Sequence, residues 1–460
     1  MKKTLSGILM GMDADYADIR YEENRKTTVG YEGKELRRIS TSPSSGGHLR
    51  VYADGGKAIA SFSLLDDVPP LAKRSLASAK LVGKRRNRPL RLAESPVITD
   101  SFLLAPAKDP RAVSLAEKEE LTAHYNRIML QEPKVVTTRC EYDEFYSHRL
   151  FLNTEGTAVE YELLIVNISG LIVVKEGNLV QRVRFGFGGN ENFANLLNRE
   201  EELKERMNRA RELLQAEPVK AGVCPVVLDP DEAGVFIHEA FGHLSEADGL
   251  QNNPSFREKL QIGTVLGQSL LNVTDDPGLL EYPGGYLVDD EGVKGAKTPL
   301  ITEGVLTGRL HSRETAAEFE EPLTGNMRAV DAHFMPIVRM SNIFIEPSAS
   351  TFDDMVASID NGYYLVGAKG GQTSGDQFSF GAQWGYRIEN GRLGPMVRDI
   401  NMSGELFSTL QAISMIGDDL TFSERGGCGK GGGGPMQLNR KSGKGSPHIK
   451  IDAVTIGGVG

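Results

Sequence analysis

Hydrophobic and polar positions alternate along the first half of the chain in a pattern that predicts β-strands. Residues 49–53 alternate Leu, Val and Ala with Arg and Tyr before an Asp-Gly-Gly turn, and this period of two is typical of a half-buried strand. Between 135 and 186, four apolar runs are separated by turn residues. Consecutive short strands joined by tight turns predict an antiparallel meander.

Two later segments carry the pattern of helices. The charged stretch 198–215 has apolar residues at helical spacing, which predicts an amphipathic helix near a domain boundary. Further on, Asp229 precedes Pro230, and Glu232 follows three residues after the aspartate. A capping aspartate, a first-turn proline and an early acid together predict that a helix begins near Pro230.

That second helix contains the sequence His238-Glu239-Ala-Phe-Gly-His243, an H-E-x-x-x-H motif. In the H-E-x-x-H motif of zinc peptidases, two imidazoles four residues apart share a helix face, and the glutamate acts as a base. A spacing of five rotates the second ring by about 140° on a regular helix. We therefore predict an irregularity between His238 and His243, either a wide π-type turn or an early helix end.

A catalytic zinc site needs a third protein ligand, and Cys428 is the best candidate. Glycines flank it and permit close approach of the backbone, while Arg425 and Lys430 would favour its thiolate form. Glu246 or Asp248 is an alternative carboxylate ligand. Two packed core histidines remain the competing interpretation of the helix motif.

The composition restricts the classes of function. The chain has 460 residues, of which 40% are hydrophobic and 25% charged, and its formal net charge is −10. This balance argues against nucleic acid as a partner, and the basic cluster at 73–97 is interpreted as a solvated helix and loop. No apolar run is long enough to span a membrane. Three widely spaced cysteines, with Cys140 and Cys224 interpreted as core residues, indicate reduced thiols and a cytoplasmic protein.

These patterns predict an α+β fold in two domains. Residues 1–217 form a mixed α/β N-terminal domain with an antiparallel meander and helices, with 1–100 and 101–217 as possible subregions. Residues 218–460 form a largely β C-terminal domain that carries the metal-binding helix. The glycine-rich run 426–434 lies inside this domain, because a strand-like segment, 449–456, follows it.

Several motifs together resemble the TldD/PmbA family of metallopeptidases, specifically its TldD-like, metal-binding branch. They include Asp289-Asp-Glu-Gly292, Leu323-Thr-Gly-Asn326 and Gly427-Cys-Gly-Lys430 beside the helix motif. The motifs follow the family's order across 229–460, and the N-terminal part resembles the family more weakly.

The resemblance implies a single zinc ion in each chain, bound by His238, His243 and Cys428, with Glu239 as the general base. It also implies a dimer around an enclosed cavity that admits unfolded or flexible peptides. The partner subunit is either a second copy of the chain or a metal-free paralogue.

The predicted function is zinc-dependent hydrolysis of peptides, with Glu239 activating the attacking water. An extended substrate is expected to pair with the backbone near Gly370, Gly371 and Gln372, where side chains are small or absent. The alternative is a non-catalytic peptide-binding or chaperone-like module whose zinc is structural. Glu239 favours the enzyme, because a structural site needs no base beside its ligands.

Overall fold

The computed structural model describes residues 1–251, 253–424, 427–431 and 436–458. It contains both helices and many strands, which confirms the predicted α+β class. Among the described residues, no helix is both long enough and apolar enough to cross a lipid bilayer.

The N-terminal half is built around one large, mainly antiparallel sheet. Its strands follow the spatial order β3-β2-β1-β5-β6-β4, and β7 also pairs with β6. The strands are β1 (Tyr16–Glu32), β2 (Glu35–Ala53), β3 (Gly56–Phe62), β4 (Thr99–Phe102), β5 (Val135–Asn153), β6 (Ala158–Glu176) and β7 (Leu179–Asn190).

The predicted meander is confirmed, since β5, β6 and β7 are consecutive antiparallel neighbours. The expectation of short strands is wrong, because β5 and β6 each have 19 residues. The segment 49–53 is a strand, as predicted, but it is not half-buried. Both of its faces are covered, because the side chains of Arg50 and Tyr52 point toward the C-terminal half, where they contact Glu291 and Glu314.

Four α-helices described in this half cover the sheet or its edges, namely α1 (Lys2–Met10), α2 (Val68–Gly83), α3 (Leu115–Met129) and α4 (Glu200–Leu213). The predicted amphipathic helix is α4, which buries Leu203, Met207 and Ala210. The basic cluster begins in α2 and continues into a segment without regular structure up to residue 98.

The C-terminal half contains two larger sheets and two short hairpin ladders. One large sheet has the order β12-β11-β10-β15-β24-β21, and the other has the order β16-β9-β25-β19-β17-β18-β8, with β20 beside β25. The strands are β8 (Glu217–Pro218), β9 (Gly222–Leu228), β10 (Val273–Asp275), β11 (Thr298–Thr302), β12 (Val305–Leu306), β13 (Met327–Arg328), β14 (Ile337–Val338), β15 (Asn342–Ile345), β16 (Asn361–Ser374), β17 (Gln377–Glu389), β18 (Arg392–Arg398), β19 (Ile400–Glu405), β20 (Ile413–Ile416), β21 (Thr421–Phe422), β22 (Cys428–Lys430), β23 (Gln437–Arg440), β24 (Gly443–Ser446) and β25 (Ile449–Gly458).

The helix α5 (Pro230–Ala240) lies between these two sheets, in contact with β16 on one side and with β15 and β24 on the other. A Cβ on Gly234 would approach the backbone of Lys444 to 3.2 Å, so the glycine permits close packing of the helix on β24. The remaining helices are α6 (Ala247–Gln251), α7 (Pro254–Lys259), α8 (Arg313–Phe319), α9 (Phe352–Ala357) and α10 (Leu406–Gln411). The core of the C-terminal half therefore encloses α5 on two sides.

Candidate metal centre

The helix α5 begins and ends where the sequence indicates. The side chain of Asp229 accepts a hydrogen bond from the Glu232 amide at 2.8 Å, which caps the first turn. The α-helix stops at Ala240, and a 3₁₀ turn follows from Gly242 to Leu244. The predicted irregularity is confirmed in its second form, because the helix ends early and carries His243 back toward the preceding turn.

The structure brings together His238, His243 and Cys428, which we call the metal cluster. One ligand atom from each residue lies within 4.8 Å of the other two. The Sγ of Cys428 is 3.3 Å from Nε2 of His243. Zinc bonds of about 2.0–2.3 Å place tetrahedral ligand atoms about 3.5 Å apart, so this spacing suits an ion between them.

His238 provides the test of whether the cluster fits a metal ion. Its side chain is fully buried, and neither ring nitrogen has a hydrogen-bond partner among the described residues. Burial, followed by the positive charge of Lys444, holds its pKa well below the ordinary value. A buried, neutral imidazole without a partner is costly for a folded protein, but it is the form that binds a metal ion.

His243 differs from His238 because a carboxylate orients it. The Nδ1 of His243 donates a hydrogen bond of 2.9 Å to Oε2 of Glu246, so Nε2 faces Cys428. Burial opposes protonation, but the charge of Glu246 and the hydrogen bond with Cys428 raise the pKa of His243 to about 11. A carboxylate behind a ligating imidazole is the usual outer partner in zinc sites.

The carboxylates proposed as alternative ligands have other partners. Glu246 bonds to His243 and lies 3.0 Å from the Nζ of Lys430, and Asp248 accepts a 2.6 Å hydrogen bond from the same ammonium. Burial would raise the pKa of Glu246, but the charges of Lys430 and His243 lower it to about 2. Lys430 thus holds the carboxylates of Glu246 and Asp248 in place. Arg425, which was also expected to favour the thiolate of Cys428, lies outside the described residues.

Glu239 projects from the same helix toward both histidines. Its Oε1 is 3.9 Å from Nε2 of His238, and its Oε2 is 3.8 Å from Nε2 of His243. The side chain retains 23% exposure, so the carboxylate faces accessible space beside His238, which is fully buried, and His243, which is 24% exposed. A carboxylate in this position can accept a proton from a water that lies between it and the cluster.

The segment Gly370–Gln372 lies on β16, in the part of this strand beyond its pairing with β9. This strand contacts the start of α5, where the backbone amides of Gly367 and Ala368 donate hydrogen bonds to the carboxylates of Asp229 and Asp231. Further along, Thr373 donates a hydrogen bond to the carbonyl oxygen of Glu239. The exposed segment therefore continues into a residue that contacts the backbone of Glu239.

Sequence reasoning missed the groups that surround the cluster. Arg339 donates a 2.8 Å hydrogen bond to the Cys428 carbonyl, and Lys444 places its Nζ 3.8 Å from Glu239. Neither residue has a characteristic spacing from the helix motif, so spacing alone gave no signal for their role at the cluster. For Glu246 a signal existed, since it follows His243 by three residues, but we interpreted it as a possible ligand.

Three domain models of one family match the chain. The PmbA/TldA metallopeptidase domain 1 matches residues 17–79, the central domain matches 108–216, and the C-terminal domain matches 221–458. The metal cluster lies within the third match.

Curated relatives and solved structures agree with these matches. The chain is 35% identical to a metalloprotease of Synechocystis sp. over 97% of this chain and 95% of the relative. It is 33% identical to a zinc metalloprotease TldD homologue of Saccharolobus solfataricus over 69% of this chain and 70% of the relative. A crystal structure from Thermotoga maritima, described as a candidate modulator of a DNA gyrase, has a TM-score of 0.77 at 18% identity and covers 96% of each chain.

Another solved structure, TldE from Thermococcus kodakarensis, has a TM-score of 0.73 at 18% identity and covers 99% of this chain and 98% of that one. At this identity the two solved structures support the fold alone. The sequence matches extend from the first strand to the last, and the chain belongs to the TldD/PmbA family of metallopeptidases.

Proposed function

We propose that the protein is a zinc-dependent peptidase in which Glu239 is the general base. The observation that carries this proposal is the position of the Glu239 carboxylate, less than 4 Å from a nitrogen of each histidine in the metal cluster. The names of the curated relatives support a metallopeptidase. A set of two imidazoles and one thiolate favours zinc over hard cations such as Mg²⁺ or Ca²⁺.

The chemistry divides between the ion and the protein. A zinc ion bound by His238, His243 and Cys428 would supply a Lewis acid that polarises a carbonyl and lowers the pKa of water to about 7. Glu239 accepts the proton of the attacking water and returns it to the leaving amide nitrogen. Glu246 orients His243, and Lys430 holds the Glu246 carboxylate in place.

The substrate is proposed to be an unfolded or flexible peptide, bound in extended form along Gly370–Gln372. Gly370–Gln372 pairs with β17 on one side, and no described strand pairs with its other side, which favours this placement because an unpaired strand edge can bind an extended peptide. A Cβ on Gly371 would lie 1.7 Å from the Phe380 ring, so this glycine also has a packing role. We further propose that a dimer encloses the site, with either a second copy or a metal-free paralogue.

The decisive experiment replaces one atom of the base. Glu239→Gln keeps the shape of the side chain and removes its capacity to accept a proton, so kcat should fall by about 10²–10⁴-fold. Elemental analysis should show the same zinc content as the parent. Glu258→Gln, at an exposed position in α7, is the matched control and should cleave normally.

Two outcomes would contradict the peptidase. Unchanged cleavage by Glu239→Gln removes the base from the mechanism. A zinc-loaded parent that binds peptides from a broad fluorogenic panel but cleaves none of them favours the non-catalytic, chaperone-like module.

A further inference from the structure

Lys444 lies beside the metal cluster in a position that the proposed mechanism does not yet use. It belongs to β24, which packs against α5 where Gly234 permits close approach. Its side chain is 9% exposed, and its Nζ lies 3.8 Å from Oε1 of Glu239. The lysine therefore places a positive charge next to the general base, on the opposite side of α5 from β16.

The ammonium of Lys444 has fewer hydrogen-bond and ion-pair partners than Arg339 and Lys430, which also lie near the cluster. Arg339 donates to the carbonyls of Cys428 and Gln437, and Lys430 is bound to Glu246 and Asp248. Within the part of the chain that the structure describes, Nζ of Lys444 makes no hydrogen bond, and Glu239 is the acidic group within 4 Å of it. An almost buried ammonium with free donors is available to an incoming anion.

We propose that Lys444 is a catalytic residue that stabilises the oxyanion formed on the scissile carbonyl, and this inference rests on the proposed peptidase function. As the water oxygen bonds to the carbonyl carbon, the π-electron pair moves onto the carbonyl oxygen. The water proton passes to Glu239. When the C–N bond breaks, the oxyanion reforms the carbonyl, and Glu239 returns the proton to the amine.

The distances favour this role over recognition of a substrate carboxylate. Reacting atoms approach to about 3–3.5 Å, so the attacked carbonyl must lie beside the water that Glu239 deprotonates. The Nζ of Lys444 is within 4 Å of that same base. A terminal or side-chain carboxylate is several bonds away from the reacting carbon and would lie farther from the lysine.

The ligand set gives a physical reason for a second cation. A thiolate at Cys428 would donate more negative charge to a divalent ion than a third imidazole and so would weaken its pull on the carbonyl oxygen. A preorganised ammonium in a largely buried site compensates, because electrostatic stabilisation is stronger where water is excluded.

The first test is kinetic and uses the zinc-loaded full chain. Lys444→Met should lower kcat by about 10²–10³-fold and change KM by less than about threefold, because the charge acts in the transition state. Lys444→Arg should retain part of the rate. Lys450→Met is the matched control, since Lys450 is also largely buried but pairs with Asp452. A raised KM at unchanged kcat would overturn the proposal in favour of carboxylate recognition.

The second test needs no peptide and so separates this inference from the proposed function. Inorganic phosphate is a tetrahedral oxyanion, and its binding to cobalt-loaded protein can be followed through the visible absorption of Co²⁺. Lys444→Met, or Lys444→Gln if the first variant does not fold, should bind phosphate at least about tenfold more weakly than the parent and Lys450→Met. Equal phosphate binding would show that the lysine only holds Glu239 and would overturn the proposal.

If the zinc-loaded parent cleaves no peptide, the proposed peptidase fails, and the phosphate titration still decides whether Lys444 binds an oxyanion. If the parent cleaves peptides and Lys444→Met cleaves them equally well, the role proposed for Lys444 is rejected while the proposed peptidase function stands.

Discussion

The metal cluster and a second buried group of titratable residues differ in how their polar atoms are satisfied. The second group, which we call the charged network, consists of Arg20, Glu22, Arg149, Tyr161 and Asp290. It joins strands of the N-terminal sheet to the segment 287–291 of the C-terminal half. Both groups are largely buried, but the polar atoms of the charged network lie close to an opposite charge, whereas the ring nitrogens of His238 have no such close partner among the described residues.

The distances make the contrast explicit. In the charged network, Asp290 lies 3.1 Å from Arg20, 2.9 Å from Arg149 and 2.5 Å from the Tyr161 hydroxyl. Within the described part of the chain, both ring nitrogens of His238 lack a hydrogen bond, and so do Nε and Nη1 of Arg20 and Oε1 of Glu22. These atoms of the charged network lie 3.0 or 3.1 Å from an opposite charge, however, whereas Nε2 of His238 lies 3.9 Å from Glu239. Burial of ionisable groups therefore does not by itself identify a functional site. A buried polar side chain with neither a hydrogen bond nor a close ion pair is the stronger indication of a ligand.

The largest expected effect tests the charged network as a structural element. Arg149→Met leaves Arg20 as the one arginine of the network facing both Asp290 and Glu22, so one buried negative charge is uncompensated and the free energy of unfolding should fall by about 3–5 kcal/mol. Denaturant titration of the metal-free protein measures this change. The control is Arg127→Met, because Arg127 and Glu120 form an exposed pair on α3, and its effect should be much smaller. Equal effects would mean that the network contributes no more than a surface pair.

The second prediction tests whether His238 is kept for a ligand rather than for stability. His238→Leu should abolish zinc binding, yet the metal-free variant should be as stable as the parent or more stable by about 1–3 kcal/mol, because unsatisfied buried nitrogens are removed. Elemental analysis and denaturant titration measure the two effects. The matched control is His311→Leu, since the buried His311 ring contacts Thr315 and Glu321 and its loss should destabilise the chain. Destabilisation of the metal-free protein by His238→Leu would contradict this prediction and show that His238 contributes to stability, as the charged network does.

The third and smallest prediction concerns pH. The pKa of His243 is about 11, so its imidazole is protonated in the metal-free protein near neutrality and must release a proton to bind zinc. This proton alone should raise zinc affinity about tenfold for each pH unit up to that pKa. In Glu246→Gln, the pKa should fall toward its ordinary value, because the neighbouring carboxylate charge is gone.

Between about pH 7.5 and 9, the slope of log affinity against pH should therefore be smaller by about one for Glu246→Gln than for the parent. Competition with a zinc chelator at several pH values measures both slopes. Asp248→Asn is the control, because Asp248 contacts Lys430 but has no hydrogen bond to His243. Identical slopes in all three proteins would show that Glu246 does not control the protonation of His243.

The sequence predicted elements whose signals are local. The start of α5 followed from Asp229 and Pro230, and the meander followed from apolar runs separated by turns. An irregularity between His238 and His243 followed from their spacing, because a regular helix places their rings on different faces. Only the structure decided that the helix ends early rather than forming a wide turn. Strand lengths were underestimated, since long strands in a large sheet tolerate polar residues that interrupt an apolar pattern.

The contacts of Glu246 show where sequence reasoning reached its limit. The residue was recognised as a candidate, but a free carboxylate and a carboxylate that accepts a hydrogen bond from an imidazole have the same sequence signature. Lys430 was likewise expected to favour the thiolate, whereas its ammonium binds Glu246 and Asp248. The partner of a charged side chain is a property of packing.

The sequence by itself determined the α+β class, the position of α5 and the chemical types of three candidate ligands. Only the tertiary structure decided that the thiol of Cys428 meets an imidazole 185 residues earlier in the chain, that Glu246 orients His243, and that Lys444 lies beside Glu239. The physical reason is that helix starts and turns depend on neighbours within a few residues, whereas buried charge and hydrogen-bond partners depend on how two sheets close around one helix.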